Sequence, residues 1–160
     1  MGWKKVALFA SVVLIAGLVL CAATQAADDP QTGTWKLNAA KSKYSPGPAP
    51  KANTLTITVD EKSYRVRAEG VDGEGKATGA DFTAGFDGKD VAAKGLPYGD
   101  TVSVKRVDAN TVEVSMKKDG KVLVTVTSVV SKDRKTRTST FHGKDEAGKD
   151  VHNVVVYDKQ

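Results

Sequence analysis

The sequence predicts an all-β protein in which about eight to ten antiparallel strands run up and down in order and close into a barrel. Three observations predict this fold class. From Asn53 onward polar and apolar residues alternate with a period of two, short turn motifs separate the alternating segments, and no segment after Asn53 has a helical period. A meander with one apolar face leaves two unpaired edge strands, and closure into a barrel removes those edges.

Residues 1–26 have the three parts of a secretory signal peptide. Lys4 and Lys5 supply the positive start, residues 6–20 are apolar apart from one serine and one glycine, and small residues lead up to Ala26. The apolar run is too short for a membrane span. We therefore expect cleavage after Ala26 and a periplasmic or secreted protein with no membrane span in its mature form.

Cys21 raises the alternative of a lipoprotein, because a lipidated cysteine also follows an apolar run. The residue before it is Leu20, whereas lipoprotein signals resemble one another in having Gly, Ala or Ser there. We therefore expect cleavage rather than lipidation, which leaves no cysteine in the mature chain and no disulfide or thiol chemistry. Residues 27–160 are long enough for one domain, which we expect to be a single monomeric barrel.

The first strand is predicted in residues 33–38, where Trp35 stands among small and β-branched residues and is expected to plug one end of the barrel. Residues 39–52 follow as a connector with three prolines at alternate positions from 46 to 50. Proline removes a backbone donor and fixes φ, so this segment is expected to be extended. It either crosses one end of the barrel as a plain connection or forms a lid beside a ligand mouth.

The later strands are separated by recognisable turn motifs. Asp87-Gly88 and Asp119-Gly120 are strong hairpin signals, because both residues of an Asp-Gly pair accept positive φ. Residues 60–63, 108–110 and 132–134 predict three further turns. The final strand, around residues 153–157, is expected to lie next to the strand of Trp35.

The composition excludes several function classes. With 27% charged and 40% hydrophobic residues the chain resembles an ordinary soluble protein. The only dense basic run, residues 132–137, is interrupted by Asp133 and is interpreted as a solvated turn, with an anionic surface partner as the alternative. Aromatic residues do not interleave with basic ones, so we expect no nucleic-acid partner.

The sequence also lacks the motifs of common catalytic and cofactor sites. His142 and His152 are the only histidines, and they do not form a zinc-ligand cluster with cysteines. The glycine-rich connection 70–79 does not match the spacing of an EF-hand. There is no Gly-x-Ser-x-Gly elbow, phosphate-binding glycine loop, or flavin or nicotinamide fingerprint. We therefore expect no metal, no cofactor, no catalytic residue and no enzymatic activity.

Binding inside the barrel is the remaining class of function. Alternation places a largely apolar set of side chains on the inner face, and we expect them to contact a small hydrophobic ligand. These candidates are Leu55, Ile57, Tyr64, Val66, Phe82, Phe86, Val102, Val104, Arg106, Val114, Met116 and Tyr157. Arg106 either pairs with an anionic ligand or reaches solvent where its strand ends, because an unpaired buried guanidinium is costly. Tyr157 either closes the barrel or donates to a ligand.

The beginning and the end of the mature chain resemble the calycin group of barrels. Gly33-Thr34-Trp35-Lys36-Leu37 is similar to the Gly-x-Trp first strand of lipocalins and fatty-acid-binding proteins. Val155-Val156-Tyr157-Asp158-Lys159 resembles the Tyr-acid-Lys end of the latter. Fatty-acid-binding proteins also have two helices after the first strand and a carboxylate-binding arginine at the position of Val155. This chain has neither.

The chain as a whole is similar to uncharacterised lipocalin-like proteins secreted by bacteria. Many of these carry Thr-Trp-Lys-Leu-Asn followed by Lys-Ser-Lys-Tyr-Ser-Pro-Gly-Pro-Ala-Pro, which here occupies residues 34–50. The resemblance implies a calycin-type barrel and no particular activity.

These observations predict an exported β-barrel binding protein for a small, largely hydrophobic ligand. The alternative is a solid-core barrel that acts as an envelope interaction or structural module without a ligand, and a third hypothesis is an enzyme with residues at the barrel mouth. A cavity lined by the apolar candidates and open beneath residues 46–50 would favour the first hypothesis. A filled core would favour the second, and converging titratable groups would favour the third.

Overall fold

The computed structural model describes residues 29–160. The expected signal peptide, residues 1–26 with Cys21, lies outside the described residues. The prediction of an all-β up-and-down barrel is confirmed: ten antiparallel strands follow one another, and residues 29–160 contain no α-helix, only the 3-10 turn Ala39–Lys41. The strands are β1 Gly33–Leu37, β2 Ala52–Val59, β3 Tyr64–Val71, β4 Ala77–Ala84, β5 Val91–Ala92, β6 Thr101–Arg106, β7 Thr111–Lys118, β8 Lys121–Val130, β9 Thr136–Lys144 and β10 Asp150–Lys159.

The first and last strands are neighbours, as predicted. The strand order in the sheet is β4-β3-β2-β1-β10-β9-β8-β7-β6-β5. β1 and β10 pair antiparallel, with Trp35 opposite Lys159 and Leu37 opposite Tyr157. Every other neighbouring pair in this order is also consecutive along the chain, so the meander rolls up around the seam between its two ends.

The barrel is nearly closed between β4 and β5, which stand at the two ends of the sheet order. One bridge joins β4 to the segment just after β5: the Asp81 amide donates to the Lys94 carbonyl at 3.1 Å, and the Lys94 amide donates to the Asp81 carbonyl at 3.0 Å. A second bridge links Asp87 with Lys105. The barrel is therefore closed by isolated bridges rather than by a continuous ladder of hydrogen bonds.

The predicted Asp87-Gly88 hairpin is wrong. Gly88 has the positive φ expected for the motif, +74°, but its amide donates to the Val104 carbonyl at 3.1 Å. β4 pairs with β3 and β5 pairs with β6, so no hairpin ladder flanks this turn, and only the single bridge between Asp81 and Lys94 spans it. By contrast, Asp119-Gly120 joins β7 to β8 with φ values of +49° and +75° and is a hairpin turn as predicted.

The two ends of the barrel differ. At the closed end lie Trp35 and residues 29–32, with the turns at residues 60–63 and 108–110. At the opposite end, here called the open end, the segment 45–51 approaches the turn 72–76, and a Cβ on Gly73 would come within 2.7 Å of the Pro48 Cβ. Inward-facing side chains between the two ends form one hydrophobic core.

Candidate functional site

The barrel encloses a cavity of about 550 Å³ towards its open end. At roughly 30 Å³ per molecule it has room for on the order of 18 waters, and it lies within the usual range of small-molecule sites, about 300–1,000 Å³. Eight of the twelve interior candidates line it: Leu55, Ile57, Tyr64, Val66, Phe82, Val114, Met116 and Tyr157.

The other four candidates do not line the cavity. Val102 and Val104 are fully buried in the core. Phe86 packs against the Tyr64 ring, with centroids 5.8 Å apart, and the Arg106 guanidinium lies 4.2 Å from the Phe86 centroid.

Arg106 is the last residue of β6 and partly reaches solvent, as one of the two alternatives drawn from the sequence expects, but it also has a partner within the chain. Its Nη2 lies 2.7 Å from Oδ2 of Asp29, and its side chain is 26% exposed. The partner of this guanidinium is therefore a carboxylate of the same chain. Alternation within β6 could not indicate this pair, because the residues before β1 have no strand period that would predict where they fold back.

The prolines of the connector form part of the open end. Pro46, Pro48 and Pro50 all line the cavity. Before them the Lys43 amide donates to the Val154 carbonyl at 2.7 Å, and after them the Lys51 amide donates to the Val71 carbonyl at 2.8 Å. The segment therefore crosses the open end from β10 to β3, and its apolar rings form part of the cavity wall there.

Trp35 anchors the closed end. Its side chain is fully buried, and the indole Nε1 donates to the Gln31 carbonyl at 3.0 Å. The side-chain amide of Gln31 in turn donates to the Asn110 carbonyl at 2.6 Å. The Lys159 ammonium lies 5.2 Å from the indole ring, within the range of a cation–π contact. These contacts tie residues 29–32, β1, β10 and the β6–β7 turn together beneath the cavity.

Arg137 is the most consequential cavity residue that sequence reasoning missed. It belongs to the basic run 132–137, for which the sequence predicts a solvated turn, but it is only 3% exposed and lines the cavity. Its Nη1 donates to the Gln31 Oε1, and its Nη2 donates to the Tyr64 hydroxyl at 2.8 Å. The two-residue period of a strand does indicate this position. Arg137 lies two residues before Ser139 and four before Phe141, so all three point to the same face of β9, and the other two also line the cavity.

The guanidinium of Arg137 has no counter-charge in the described part of the chain. Within residues 29–160 no carboxylate lies within the 4.0 Å that defines an ion pair, and both of its hydrogen-bond partners are neutral. Its Nε is buried and has no hydrogen-bond partner. A buried charge in this state is unfavourable.

Other polar groups reach the cavity from β8 and β9. The Ser128 and Ser139 hydroxyls hydrogen-bond each other at 2.9 Å, and both residues line the cavity. Among the described residues, three buried side-chain atoms have no hydrogen-bond partner: the Tyr44 hydroxyl, the Asn53 Oδ1 and the Arg137 Nε. All three belong to cavity-lining residues. The cavity is therefore apolar over most of its wall and has unused polar atoms at a few places.

Tyr157 is a neutral group of the cavity wall. Burial raises the pKa of its hydroxyl far above the ordinary value of 10.0, and the nearby Tyr44 raises it further, whereas the charge of Arg137 acts in the opposite direction. Tyr157 therefore remains protonated at neutral pH and is able to donate a hydrogen bond.

The described residues hold no cluster of metal-ligating side chains. His142 and His152 face each other across β9 and β10 with ring centroids 6.0 Å apart, and both are exposed. Within residues 29–160 no group of three or more His, Cys, Asp or Glu side chains is placed to hold a metal ion. None of the helical segments in the same range has the length and apolar character needed to cross a membrane.

The chain was compared with family models, curated proteins and solved structures, and a likeness was found among the solved structures. No family model matches the sequence, and no curated protein matches it. Among solved structures, lobster apocrustacyanin A1 is similar, with a TM-score of 0.45 and 9% sequence identity. The alignment covers 82% of this chain and 61% of the crustacyanin chain, so this protein spans less than two thirds of that chain's length. A likeness at this identity concerns the fold alone.

Proposed function

We propose that the protein is an exported β-barrel binding protein that holds a small, largely hydrophobic molecule in its barrel cavity. The observation that carries this proposal is the 550 Å³ cavity itself, lined by Leu55, Val66, Phe82 and Met116 among others. Protein interiors are normally packed with few voids larger than a water molecule. A barrel that served only as a solid module would have no reason to keep this space empty of side chains.

The surroundings of the cavity favour entry of a ligand from the open end. Pro46, Pro48 and Pro50 cross that end without a regular ladder of hydrogen bonds, because they have no backbone donor. The opposite end is sealed by Trp35 and the Gln31 side chain, both of which are fully buried. Export is proposed from residues 1–26, whose charge, apolar run and small residues are those of a secretory signal.

Catalysis is not proposed for this cavity. The one carboxylate among its lining residues is Asp72, whose Oδ1 accepts hydrogen bonds from the amides of Glu74, Gly75 and Lys76. These bonds give Asp72 a turn-forming role. No histidine is among the described residues that line the cavity, and its other titratable side chains are tyrosines and Arg137.

The proposal is tested first with a neutral probe. The full chain is expressed with its residues 1–26, purified, and passed over a hydrophobic resin to remove bound molecules. It is then titrated with N-phenyl-1-naphthylamine, an uncharged dye that fluoresces in apolar sites. We expect saturable binding of one dye per chain and a rise in melting temperature, since a ligand that binds only the folded state stabilises it.

A matched pair of variants on β8 locates the dye. Val126 is buried and lines the cavity, whereas Val129 lies on the outer face and is 44% exposed. Val126→Trp is expected to weaken dye binding at least tenfold by filling the cavity, and Val129→Trp to leave it unchanged. Val114→Phe is a second filling variant should Val126→Trp fold poorly by circular dichroism.

The outcome of these titrations is decisive in either direction. Equal dye binding by Val126→Trp and Val129→Trp would mean that the dye occupies another surface, which would contradict the proposal. Absence of binding by the unsubstituted protein, together with no small molecule in an organic extract of the freshly purified material, would favour the solid-module alternative.

A further inference from the structure

We infer that the base of the cavity recognises a carboxylate through Arg137, so that the bound molecule is an amphiphile with an apolar tail and one negative charge. This inference rests on the proposed function, because it requires an occupant in the cavity. It adds the chemical class of that occupant and its orientation, with the charged end at the base and the tail towards the open end.

The hydrogen-bonding capacity of Arg137 is incompletely used by the protein. A guanidinium has five N–H donors. Here one bonds the Gln31 amide oxygen and one bonds the Tyr64 hydroxyl, whereas the Nε–H, although buried, has no partner in the described residues. A carboxylate is the group that best fits such a planar set of donors, since its two oxygens accept parallel bonds from one guanidinium.

Charge compensation distinguishes Arg137 from three other arginines. Arg65, Arg67 and Arg106 lie 2.7–3.3 Å from carboxylate oxygens of the same chain. The side chains of Arg65 and Arg67 are more than half exposed, so their charges also have water as a partner. Arg137 is the most buried of the four and has no carboxylate partner within residues 29–160. Its position on the cavity wall leaves room for an anionic occupant to supply one.

The neighbours of Arg137 fit a charged head group at this depth. Ser139 lies two residues along β9 on the same face, and its hydroxyl bonds that of Ser128. Arg137 stands opposite Tyr157 in the pairing of β9 with β10, and both residues line the cavity. Further towards the open end the wall is apolar at Phe141 and Met116.

Three probes of equal chain length and different charge test the inference. Dodecanoate, dodecan-1-ol and dodecylammonium are each used to displace N-phenyl-1-naphthylamine from the unsubstituted protein at pH 7. We expect dodecanoate to bind at least tenfold more tightly than dodecanol, and dodecylammonium to bind most weakly. This comparison needs no variant, so it does not depend on how a substitution affects folding.

Two arginine substitutions locate the preference. Arg137→Gln is expected to reduce the dodecanoate-to-dodecanol preference to about twofold or less while dodecanol binding changes little. Arg137→Lys, which retains the charge but not the planar donors, is expected to keep part of the preference. Arg106→Gln is the matched control, because Arg106 is partly buried at the closed end but does not line the cavity. It should leave the preference unchanged.

The ionisation of the bound head group provides a separate readout. With dodecanoate labelled at its carboxyl carbon by ¹³C, the chemical shift reports the pKa of the bound acid. A guanidinium contact lowers that pKa, whereas burial without one raises it. We therefore expect the bound acid to stay ionised to lower pH in the unsubstituted protein than in Arg137→Gln.

The possible results separate the inference from the proposed function. If the dye and dodecanol bind inside the barrel but dodecanoate binds no better, the carboxylate site is refuted and the apolar binding function stands. If Arg106→Gln abolishes the preference as strongly as Arg137→Gln, the assignment to Arg137 is refuted. Failure of the dye and all three amphiphiles to bind would refute the proposed function.

Discussion

Replacing Trp35 should show how much of the barrel's stability depends on its closed end. Its indole is fully buried and bonds the Gln31 carbonyl, which lies on an equally buried residue. Trp35→Phe keeps an aromatic ring but leaves that carbonyl without its donor, at a cost of about 1–3 kcal/mol. Trp35→Ala also removes the packing and should cost about 3–5 kcal/mol. Either loss is large against a total stability of roughly 5–15 kcal/mol.

The assay is urea unfolding followed by far-ultraviolet circular dichroism, because Trp35→Phe removes the tryptophan that would report by fluorescence. We expect midpoints in the order unsubstituted protein, Trp35→Phe, Trp35→Ala. A loss of about 2 kcal/mol for Trp35→Phe corresponds to a fall in melting temperature of roughly 6–10 °C for a domain of this size. Lys36→Ala, an exposed neighbour on the same strand, is the control and should stay within about 0.5 kcal/mol of the unsubstituted protein.

The expected order also makes the reasoning refutable. If Trp35→Phe is as stable as the unsubstituted protein, the bond to Gln31 does not contribute and the closed end is held by packing alone. If Trp35→Ala is within 1 kcal/mol of the unsubstituted protein, the indole is not a structural anchor of the barrel.

Three further predictions concern backbone strain and pH. Gly99→Ala should destabilise the folded protein more than Gly120→Ala, as measured by urea unfolding. Both glycines have a positive φ, which costs about 1–2 kcal/mol for alanine. Only at Gly99 would the added Cβ also lie 2.1 Å from the Lys117 carbonyl oxygen. Equal effects would show that the steric contact is relieved. Hydrogen bonds from the backbone amides of Lys76, Glu74 and Gly75 hold the pKa of Asp72 below its ordinary value of 3.8. The unfolded chain therefore takes up this proton first, and stability is lost as the pH falls below about 4. Asp72→Asn should make the urea midpoint fall less steeply with falling pH, and an unchanged slope would contradict this reasoning. Burial raises the pKa of Tyr157 above its ordinary value of 10.0, so the unfolded chain loses this proton first and stability falls as the pH rises above about 10. In Tyr157→Phe the fall in melting temperature at alkaline pH should be smaller. An equal fall in both proteins would assign the effect to other groups.

The sequence was sufficient for the strands because a half-buried strand shows its buried face in every second residue. The same rule gave the pairing of β1 with β10, since a one-sided sheet has to protect both edges. It was not sufficient for the turn at Asp87-Gly88. An Asp-Gly pair specifies local backbone geometry, whereas the partners of β4 and β5 are decided by where the barrel closes.

The residues predicted from the sequence include eight that line the cavity, Tyr64 and Tyr157 among them, but not Arg137. Arg137 stands in a run of charged residues, and composition alone made a solvated turn the natural interpretation. Its spacing of two residues from Ser139, which puts both side chains on the same face of β9, is the better guide to its position. The pairing of Arg106 with Asp29 had no such signal, because it depends on a segment without strand periodicity.

The pairing of β1 with β10 has a consequence for how the protein is made. Trp35 already has Leu55 of β2 opposite it early in synthesis, but it meets β10 only after Lys159 has been added. Contacts between such distant parts of a chain form late and slow the folding of β-proteins. Closure of the barrel is therefore a late event in the synthesis of the chain, because its seam needs residues 150–159.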